Sequence, residues 1–344
     1  MRARVKSIFS LAILFIAPAR DVLSRDPGGD STLFQFNNPF KITITYDFRE
    51  LSRLRDDSTY ITGRISYFQE DSTLIERSIA IRPRGNSRRD QCQHPPLRID
   101  FNDSLYGISL FDEWGKMKLV SKCLQAHNFD NYVLREYLIY QAFQKLTDYS
   151  FSTYLLSITF LDSSTGKRSY ESPGFFIEDI DDLEKRLNAV EIESMGLKPG
   201  ELDTLTFDIV ALFQYMIGNT DWYIQNLHNI KLVKFNDHLK PCPIPIPYDF
   251  DYSGLVNASY AVPHESLALE SVRERHFMGV CRNAYDYTSV FRLFMDKKDE
   301  IYGVFKDCNS MSKFDINDIS RYLDGFYSIL EGKNPGRAIY GICE

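Results

Sequence analysis

The segment GNTDWYIQNLHN, from Gly218 to Asn229, concentrates polar side chains between two apolar stretches. It follows a predicted apolar helix, TLTFDIVALFQYMIG, and precedes a predicted strand, IKLVKF. A carboxylate held between two core elements is costly unless it is paired or binds a cation. Asp221 is therefore a candidate for acid–base chemistry, in which it accepts or orients the proton of a hydroxyl group.

Oxygen-bearing side chains around this segment suit a hard divalent cation. Asn226 and Asn229 both follow Asp221, and we prefer Asn229 because it abuts the strand IKLVKF, which would hold it rigidly. Further along, PYDFDYSG places Asp249 and Asp251 at alternate positions. Carboxylate and amide oxygens are ligands for Mg²⁺ (or Mn²⁺) in phosphoryl transfer. The sequence predicts a metal site from Asn229, Asp249 and Asp251, with the choice between the asparagines and between the aspartates left open.

Basic residues flank a glycine in RPRGNSRR, between the predicted strands SIAIRPR and PPLRIDF. The glycine permits a tight turn around a phosphate group. Arg84, Arg88 and Arg89 would offer charge-assisted hydrogen bonds to its oxygens. A solvated basic turn is the alternative.

A lysine and a glutamate on successive elements are candidates for holding the phosphates of a nucleotide. Lys118, in KMKLVSK, precedes Glu136 on the following predicted helix by 18 residues. That separation would let a strand lysine pair with a helix glutamate and contact the α- and β-phosphates. Lys116 and Lys122 are alternatives to Lys118.

The elements that must position these residues fall into two blocks. From Lys41 to about Glu178 the patterns predict strands, interrupted by one helix, NYVLREYLIYQAFQKL. After Asp181 they predict a helix, the polar loop, two short strands and a helical tail. This is the order of parts in a protein kinase. We predict an α+β, two-lobed, protein-kinase-like fold, with a β-rich N-terminal lobe (20–180) and a mainly helical C-terminal lobe (181–344) that carries the loop.

Composition and the N-terminus indicate an exported protein. MRARVK and SIFSLAILFI precede Ala17–Ala19, the pattern of a signal peptide over residues 1–19. No later stretch is apolar enough to span a bilayer, so we expect a periplasmic or extracellular protein without stable membrane insertion. The formal charge of -7 argues against a general nucleic-acid binder. Six cysteines in an oxidising compartment favour disulfides, with the pairing open.

Eight motifs together resemble the spore coat protein H (CotH) family of atypical kinases, and more closely an exported bacterial branch of it. They are RGNSRR, PPLRIDF, KLVSKC, REYLIYQAF, FFIEDID, GNTDWY, HNIKLV and PYDFDYSG, between Ile79 and Pro263. The resemblance implies an ATP- and Mg²⁺-dependent kinase fold able to phosphorylate secreted proteins.

Residue roles follow from the resemblance by position. Asp221 corresponds to the catalytic aspartate, Asn229 to a metal ligand, and the pair Asp249 and Asp251 contains the metal-binding aspartate. Glu178 matches the acidic residue where the family chain crosses between lobes.

The chain also departs from the family pattern at two places. No Arg or His shortly precedes Asp221, and Asp100 replaces a residue that is basic in many members. Arg98 and Lys118 are therefore both candidates for the phosphate-binding cation. The predicted function is an exported kinase that transfers the γ-phosphoryl group of ATP to a hydroxyl on a protein, or on a glycan. The alternative is a catalytically inactive, kinase-fold binding or scaffold protein of the cell envelope.

Overall fold

A computed structural model describes the structure of most of the chain. The described residues are 38–54, 56, 58–69, 71–85, 92–101, 111, 115–126, 128–166, 169–237, 240–280 and 287–340. The predicted signal peptide (1–19), Arg88, Arg89, Cys281 and Cys343 lie outside them. Within the described ranges, no helix is both long and apolar enough to cross a membrane.

The first seven strands form a closed barrel in the order β1-β2-β3-β4-β5-β7-β6. Their bounds are β1 Phe40–Tyr46, β2 Ile61–Phe68, β3 Leu74–Pro83, β4 Leu97–Asp100, β5 Lys116–Ser121, β6 Thr153–Asp162 and β7 Ser169–Ile177. The barrel closes because β1 pairs in parallel with β6, from Phe40 opposite Leu156 to Tyr46 opposite Asp162. The other neighbouring strands are antiparallel. Closure leaves the barrel without an unpaired edge strand.

Alternation along the strands divides the barrel into an apolar interior and a mixed outer face. On β4, Leu97 and Ile99 are buried in the interior, whereas Arg98 between them points outward. This is the period of two that a strand imposes on its side chains. The polar outer face of β4 and β5 is the part of the barrel that borders the candidate site.

The remaining elements are helices and one small sheet. The helices are α1 (Phe48–Arg53), α2 (Asn128–Gln144), α3 (Ile180–Leu187), α4 (Thr204–Ile217), α5 (Thr288–Asp296), α6 (Lys298–Lys306), α7 (Lys313–Leu330) and α8 (Pro335–Tyr340). The sheet has the antiparallel order β10-β9-β8, from β8 (Ala189–Glu191), β9 (Ile230–Phe235) and β10 (Ile244–Pro247).

A second apolar core joins the barrel to these elements. The helices α2 and α4 supply much of it, and each is buried over most of its length. Barrel residues such as Val120, Phe175 and Ile177 belong to the same cluster. The segments that carry the candidate site therefore rest on a core that both halves of the chain share.

The prediction of a two-lobed, protein-kinase-like fold is wrong, although the chain is an α+β protein. The predicted β-rich lobe is a closed, mixed seven-stranded barrel, and the residues after it combine a three-stranded sheet with helices. The physical reason is the parallel pairing of β1 with β6, which links segments about a hundred residues apart. Such a contact leaves no local pattern in the sequence.

Candidate functional site

The polar loop begins at a well-defined helix end. The helix α4 stops at Gly218, which has a φ of 67° and caps the helix in the left-handed conformation that glycine adopts readily. Asn219 then fixes the next turn: its Nδ2 donates to Gln214 at 3.0 Å, and its Oδ1 accepts from the backbone N–H of Asp221 at 3.0 Å. The backbone of Asp221 is thus tied to the buried end of the helix.

The Asp221 carboxylate is oriented by two side chains from the end of the same loop. His228 Nε2 lies 2.9 Å from Oδ1, and Asn229 Nδ2 donates to Oδ2 at 3.0 Å and to the Asp221 carbonyl at 2.8 Å. A backbone bridge between Tyr223 and His228 returns the chain to this position. One third of the Asp221 side chain stays exposed. The arrangement holds the carboxylate in one orientation while one side faces solvent.

Asn229 and Asp249 meet where the strands β9 and β10 end. The register of these strands places Tyr248 opposite Asn229, and the Tyr248 N–H donates to the Asn229 carbonyl at 3.0 Å. Asn229 and Asp249 both have positive φ, 53° and 59°. The N–H of Asp249 donates to the Tyr140 hydroxyl at 2.8 Å, and Asp251 is buried. The structure therefore brings Asp221, Asn229 and Asp249 to one edge of the small sheet.

The donor set at this edge has the chemistry that Mg²⁺ uses. Because Asn229 turns its amide nitrogen toward Asp221, its carbonyl oxygen remains an acceptor, and Asp249 adds a carboxylate. Among the described residues, no group of three or more His, Cys, Asp and Glu side chains is placed to hold a metal ion. Mg²⁺ in nucleotide sites takes one or two protein carboxylates and completes its shell with phosphates and water. The residues present fit such a cation.

Lys118 lies on the outer face of the barrel against two aromatic rings of the site. Its Nζ is 5.6 Å from the ring centroid of Phe151 and 5.3 Å from that of Tyr248. Burial, and then the nearby Arg84, lower the pKa of Lys118 to about 8. Because Tyr248 directly precedes Asp249, the contact with Tyr248 places Lys118 near the polar edge of the sheet.

Other basic residues surround Lys118. Lys231 and Arg98 also lower its pKa, whereas the carboxylate of Asp179 raises it. Arg98 forms an ion pair with Asp179 at 2.5 Å. Lys231 pairs with Glu191 at 2.6 Å.

The register of the barrel adds a row of like charges. Arg82 on β3 lies opposite Arg98 on β4, which in turn lies opposite Lys118 on β5. Like charges directly opposite each other on paired strands destabilise a sheet. This face of the barrel is consequently suited to an anion.

Glu136 and Glu178, predicted to contact the nucleotide, are buried in particular surroundings. Glu136 acts on Tyr140: burial is the main cause of the raised pKa of that phenol, and Glu136 and Asp249 raise it further. Both carboxylate oxygens of Glu178 accept hydrogen bonds from Arg186, at 2.9 and 2.8 Å. Glu178 thus connects β7 to α3, and the carboxylate beside Lys118 is that of Asp179.

The two alternatives to Lys118 lie beside other acidic residues. Lys122 forms an ion pair with Asp130 at 3.2 Å. Lys116 lies opposite Asp100 in the register of β4 and β5. Lys118 is thus the lysine of this strand that faces the site.

Several residues of the site were missed from the sequence. A histidine beside an asparagine gives no specific signal in the sequence, yet His228 contacts the Asp221 carboxylate. Tyr140, Tyr248 and Asp179 gave no distinctive signal, because their roles depend on contacts between distant segments. The position of Asp179 directly after Glu178, in the predicted crossover, was the one available hint.

The expected disulfides are confirmed in part. Cys92 and Cys123 form a disulfide that joins the segment before β4 to the segment after β5. Cys242 is exposed and Cys308 is buried, and both are free thiols.

No protein-family model matches the chain, and no curated protein matches it significantly.

Proposed function

We propose that the chain is a phosphotransferase that moves the γ-phosphoryl group of ATP to a hydroxyl group of a protein acceptor. The observation that carries the proposal is the position of Tyr248. Its ring contacts the Lys118 ammonium group, its backbone bonds to Asn229, and it precedes Asp249. A cationic surface for phosphates thus adjoins oxygen ligands and the oriented carboxylate of Asp221.

The transfer would use Asp221 as the proton acceptor. The acceptor hydroxyl oxygen forms a bond to the γ-phosphorus, the bond from that phosphorus to the β–γ bridging oxygen breaks, and ADP leaves. The hydroxyl proton passes to Asp221, whose orientation by His228 and Asn229 removes the entropic cost of aligning it. The chemistry needs little covalent help from the protein beyond such positioning.

Each side of the site would hold a different part of the donor. Asn229 and Asp249, with the buried Asp251 nearby in sequence, would hold Mg²⁺, which supplies charge neutralisation for the phosphates when bound. Lys118, Arg98 and Arg84 would contact phosphate oxygens through charge-assisted hydrogen bonds. Phosphoryl transfer depends on this neutralisation more than on any single nucleophile.

The proposal places the protein outside the cytoplasm. The signal-peptide pattern of residues 1–19 and the Cys92–Cys123 disulfide both support export. The motif resemblance to the CotH kinases supports a secreted acceptor, although the fold that it implies is not the one observed. ATP would then have to reach the protein in the periplasm or the medium.

The decisive experiment has two stages. Mg-ATP at about a hundred times its dissociation constant should stabilise the purified protein by about 2.7 kcal/mol in thermal unfolding. Incubation with γ-labelled ATP and an envelope extract should then label an acceptor. Absence of both stabilisation and labelling would refute the proposal.

Asp249→Ala tests the cation site within that experiment. The substitution should remove most of the Mg²⁺-dependent part of the stabilisation, since it deletes a carboxylate ligand. Asp296→Ala, an exposed position at the end of α5, is the matched control and should keep the full effect. Equal stabilisation of both variants would place the cation elsewhere.

A second candidate function is nucleotide binding without transfer. One observation favours it: both carboxylate oxygens of Asp221 already accept a hydrogen bond within the protein. A carboxylate used in this way holds a loop in place, as a binding or scaffold protein would need. Stabilisation by Mg-ATP without labelling of any acceptor would favour this candidate.

A further inference from the structure

The two segments that carry Asp221 and Asp251 are paired through their backbones. The N–H of Gly254 donates to the Gly218 carbonyl at 3.0 Å, and the N–H of Leu255 donates to the Ile217 carbonyl at 2.9 Å. This pairing lies three residues from Asp221 on one chain segment and three from Asp251 on the other. The relative position of the two carboxylates therefore depends on it.

The tip of a tyrosine from α7 lies against this junction. A Cβ atom added to Gly218 would lie 2.0 Å from the Tyr322 hydroxyl oxygen, and one added to Gly254 would lie 2.5 Å from it. The Tyr322 hydroxyl thus lies against both glycines, and the Val272 carbonyl oxygen, 2.3 Å from a Cβ at Gly254, also requires glycine there. In the described part of the chain, the buried Tyr322 hydroxyl has no hydrogen-bond partner. It contributes to the junction by its volume, as a spacer.

Two arginines lie close to the Tyr322 ring and donate to the backbone of the two paired segments. The Arg273 and Arg275 guanidinium carbons lie 4.4 and 3.9 Å from the ring centroid. Arg273 Nη1 donates to the Gly254 carbonyl at 3.2 Å, and Arg275 Nε donates to the Met216 carbonyl at 3.1 Å. Each arginine therefore connects the tyrosine to one of the two paired segments.

The helix α2 holds the other side of the junction. Arg135 Nη1 donates to the Leu255 carbonyl at 3.0 Å and to Asp318 Oδ2 at 2.9 Å, while Asp318 also binds Arg273 at 3.1 Å. Tyr140 on the same helix accepts from the N–H of Asp249. The segment 249–255 is thus held at both ends by α2. Asp318 on α7 balances the charge of Arg135.

We infer that Tyr322, clamped by Arg273 and Arg275 and linked through Asp318 to Arg135, is the positioning residue that sets the distance between the Asp221 loop and the Asp249–Asp251 segment. Its consequence for transfer rests on the proposed function, but its effect on the geometry does not. Tyr322 contacts no reacting group. It acts through Gly218 and Gly254.

Tyr322→Phe tests the inference without disturbing the fold. Loss of a buried hydroxyl that lacks a partner should leave the midpoint of thermal unfolding unchanged or raised. Hydrogen exchange of the Gly254 and Leu255 amides, measured without ligand, should nevertheless accelerate by about tenfold, because the junction opens locally. Where transfer is observed, kcat should fall by about tenfold with KM unchanged, as expected for misplacement of reacting groups.

Tyr327→Phe is the matched control on the same helix. Its ring is buried, and its hydroxyl donates to the Phe294 carbonyl at 3.4 Å, away from the junction. Exchange at Gly254 and Leu255, and kcat, should match the parent protein. If loss of any tyrosine hydroxyl in α7 slowed transfer, Tyr322→Phe and Tyr327→Phe would be slowed equally.

A compensating pair completes the test. Gly218→Ala should accelerate the same exchange, because the new methyl group meets the Tyr322 hydroxyl and the φ of 67° strains an alanine. Gly218→Ala combined with Tyr322→Phe should recover part of the loss, since the next nearest atom, Tyr322 Cζ, is 3.3 Å away. Parental exchange rates in Tyr322→Phe, or no recovery in the double variant, would overturn the inference. If the parent protein transfers no phosphate while Tyr322→Phe still accelerates exchange, the proposed function fails and the inference stands.

Discussion

The two sides of the candidate site hold their polar groups in opposite ways. On the loop side, Asn229 donates hydrogen bonds to Asp221, and the backbone N–H of Asp249 donates to the Tyr140 hydroxyl. On the barrel side, Arg98 and Lys118 lie side by side on neighbouring strands, and burial lowers the pKa of the lysine. The loop side therefore stabilises the fold, whereas on the barrel side Arg98 is paired with Asp179 and the buried Lys118 destabilises the fold. Substitutions on the two sides should separate stability from affinity.

The largest expected effect is on transfer and comes from Asp221→Asn. The amide has nearly the shape of the carboxylate but cannot accept a proton, so the transfer rate should fall by a factor on the order of 10³. Affinity for Mg-ATP should change by no more than about threefold, because the phosphate-binding cations are untouched. Initial rates with γ-labelled ATP and calorimetric titration measure the two quantities. A variant that transfers at the parental rate would remove Asp221 from the mechanism.

Asn229→Ala should cause the largest loss of stability on the loop side. The substitution deletes two hydrogen bonds to Asp221 and leaves alanine at a φ of 53°, a conformation that asparagine tolerates better. We expect the free energy of unfolding to fall by about 3 kcal/mol, from the lost bonds and the backbone strain. Urea denaturation measures the change.

Asn226→Ala is the control for that experiment. It tests which of the two asparagines stabilises the loop. Asn226 is exposed, and its side chain accepts one bond, at 3.3 Å, from the N–H of His228. Its loss should cost less than about 1 kcal/mol. A larger loss for Asn226→Ala than for Asn229→Ala would contradict the assigned geometry of the loop.

Lys118→Met should move stability and affinity in opposite directions. Methionine keeps the apolar stem and removes a desolvated charge near other cations, so the free energy of unfolding should rise by about 1 kcal/mol. Affinity for Mg-ATP should fall by roughly 10- to 100-fold, because a charge-assisted contact is lost. Denaturation and titration of the same preparation provide both values.

Lys116→Met, on the same strand and face, is the control for Lys118→Met. Lys116 lies opposite Asp100, so its removal costs a cross-strand pair of opposite charge. Stability should fall slightly and affinity should stay within about threefold of the parent, because the rings of Phe151 and Tyr248 contact Lys118. Equal losses of affinity in the two lysine variants would show a diffuse charge effect without a specific site.

Local patterns in the sequence predicted the elements better than their assembly. The helix α4 and its end at Gly218 followed from apolar spacing and glycine capping, and the strand pair β9 and β10 followed from its residue types. Strand β2 was not predicted. Barrel closure was missed as well, since the partners of Phe40 and its neighbours lie beyond Thr153 in the chain. Pairing over such a distance is decided by the whole fold.

In the candidate site, too, local features were predicted better than contacts between distant residues. Asn229 was preferred over Asn226 as a metal ligand because it abuts a strand, and that preference stays a prediction, whereas its hydrogen bond to Asp221 was not predicted. The contact of His228 with Asp221 depends on the backbone bridge to Tyr223, which the spacing did not reveal. Similarly, Asp179 is a neighbour of Lys118 because α3 begins where β7 ends. The residue types of the loop could be inferred from the sequence, and the contacts that its side chains make could not.

The smallest expected effect is a pH dependence that again separates the two sides. The pKa of Lys118 in the folded protein is about 8, below its ordinary value of 10.5. A phosphate ligand favours the charged amine, so affinity for Mg-ATP should fall as the pH rises through about 8, by at most about tenfold per pH unit. The free energy of unfolding depends on pH with the opposite sign. Between these two pKa values the unfolded chain binds the additional proton, so the contribution of Lys118 to the free energy of unfolding increases with pH.

Titration of Mg-ATP in buffers of different ionisation enthalpy, between about pH 7 and pH 9, should reveal proton uptake that grows as Lys118 loses its charge in the free protein. Lys118→Met should abolish this uptake, while Asn229→Ala should retain it, because the loop side does not contribute this titrating amine. Uptake that persists in Lys118→Met would assign the titration to another group. The difference between the two sides of the site would then require a different electrostatic explanation.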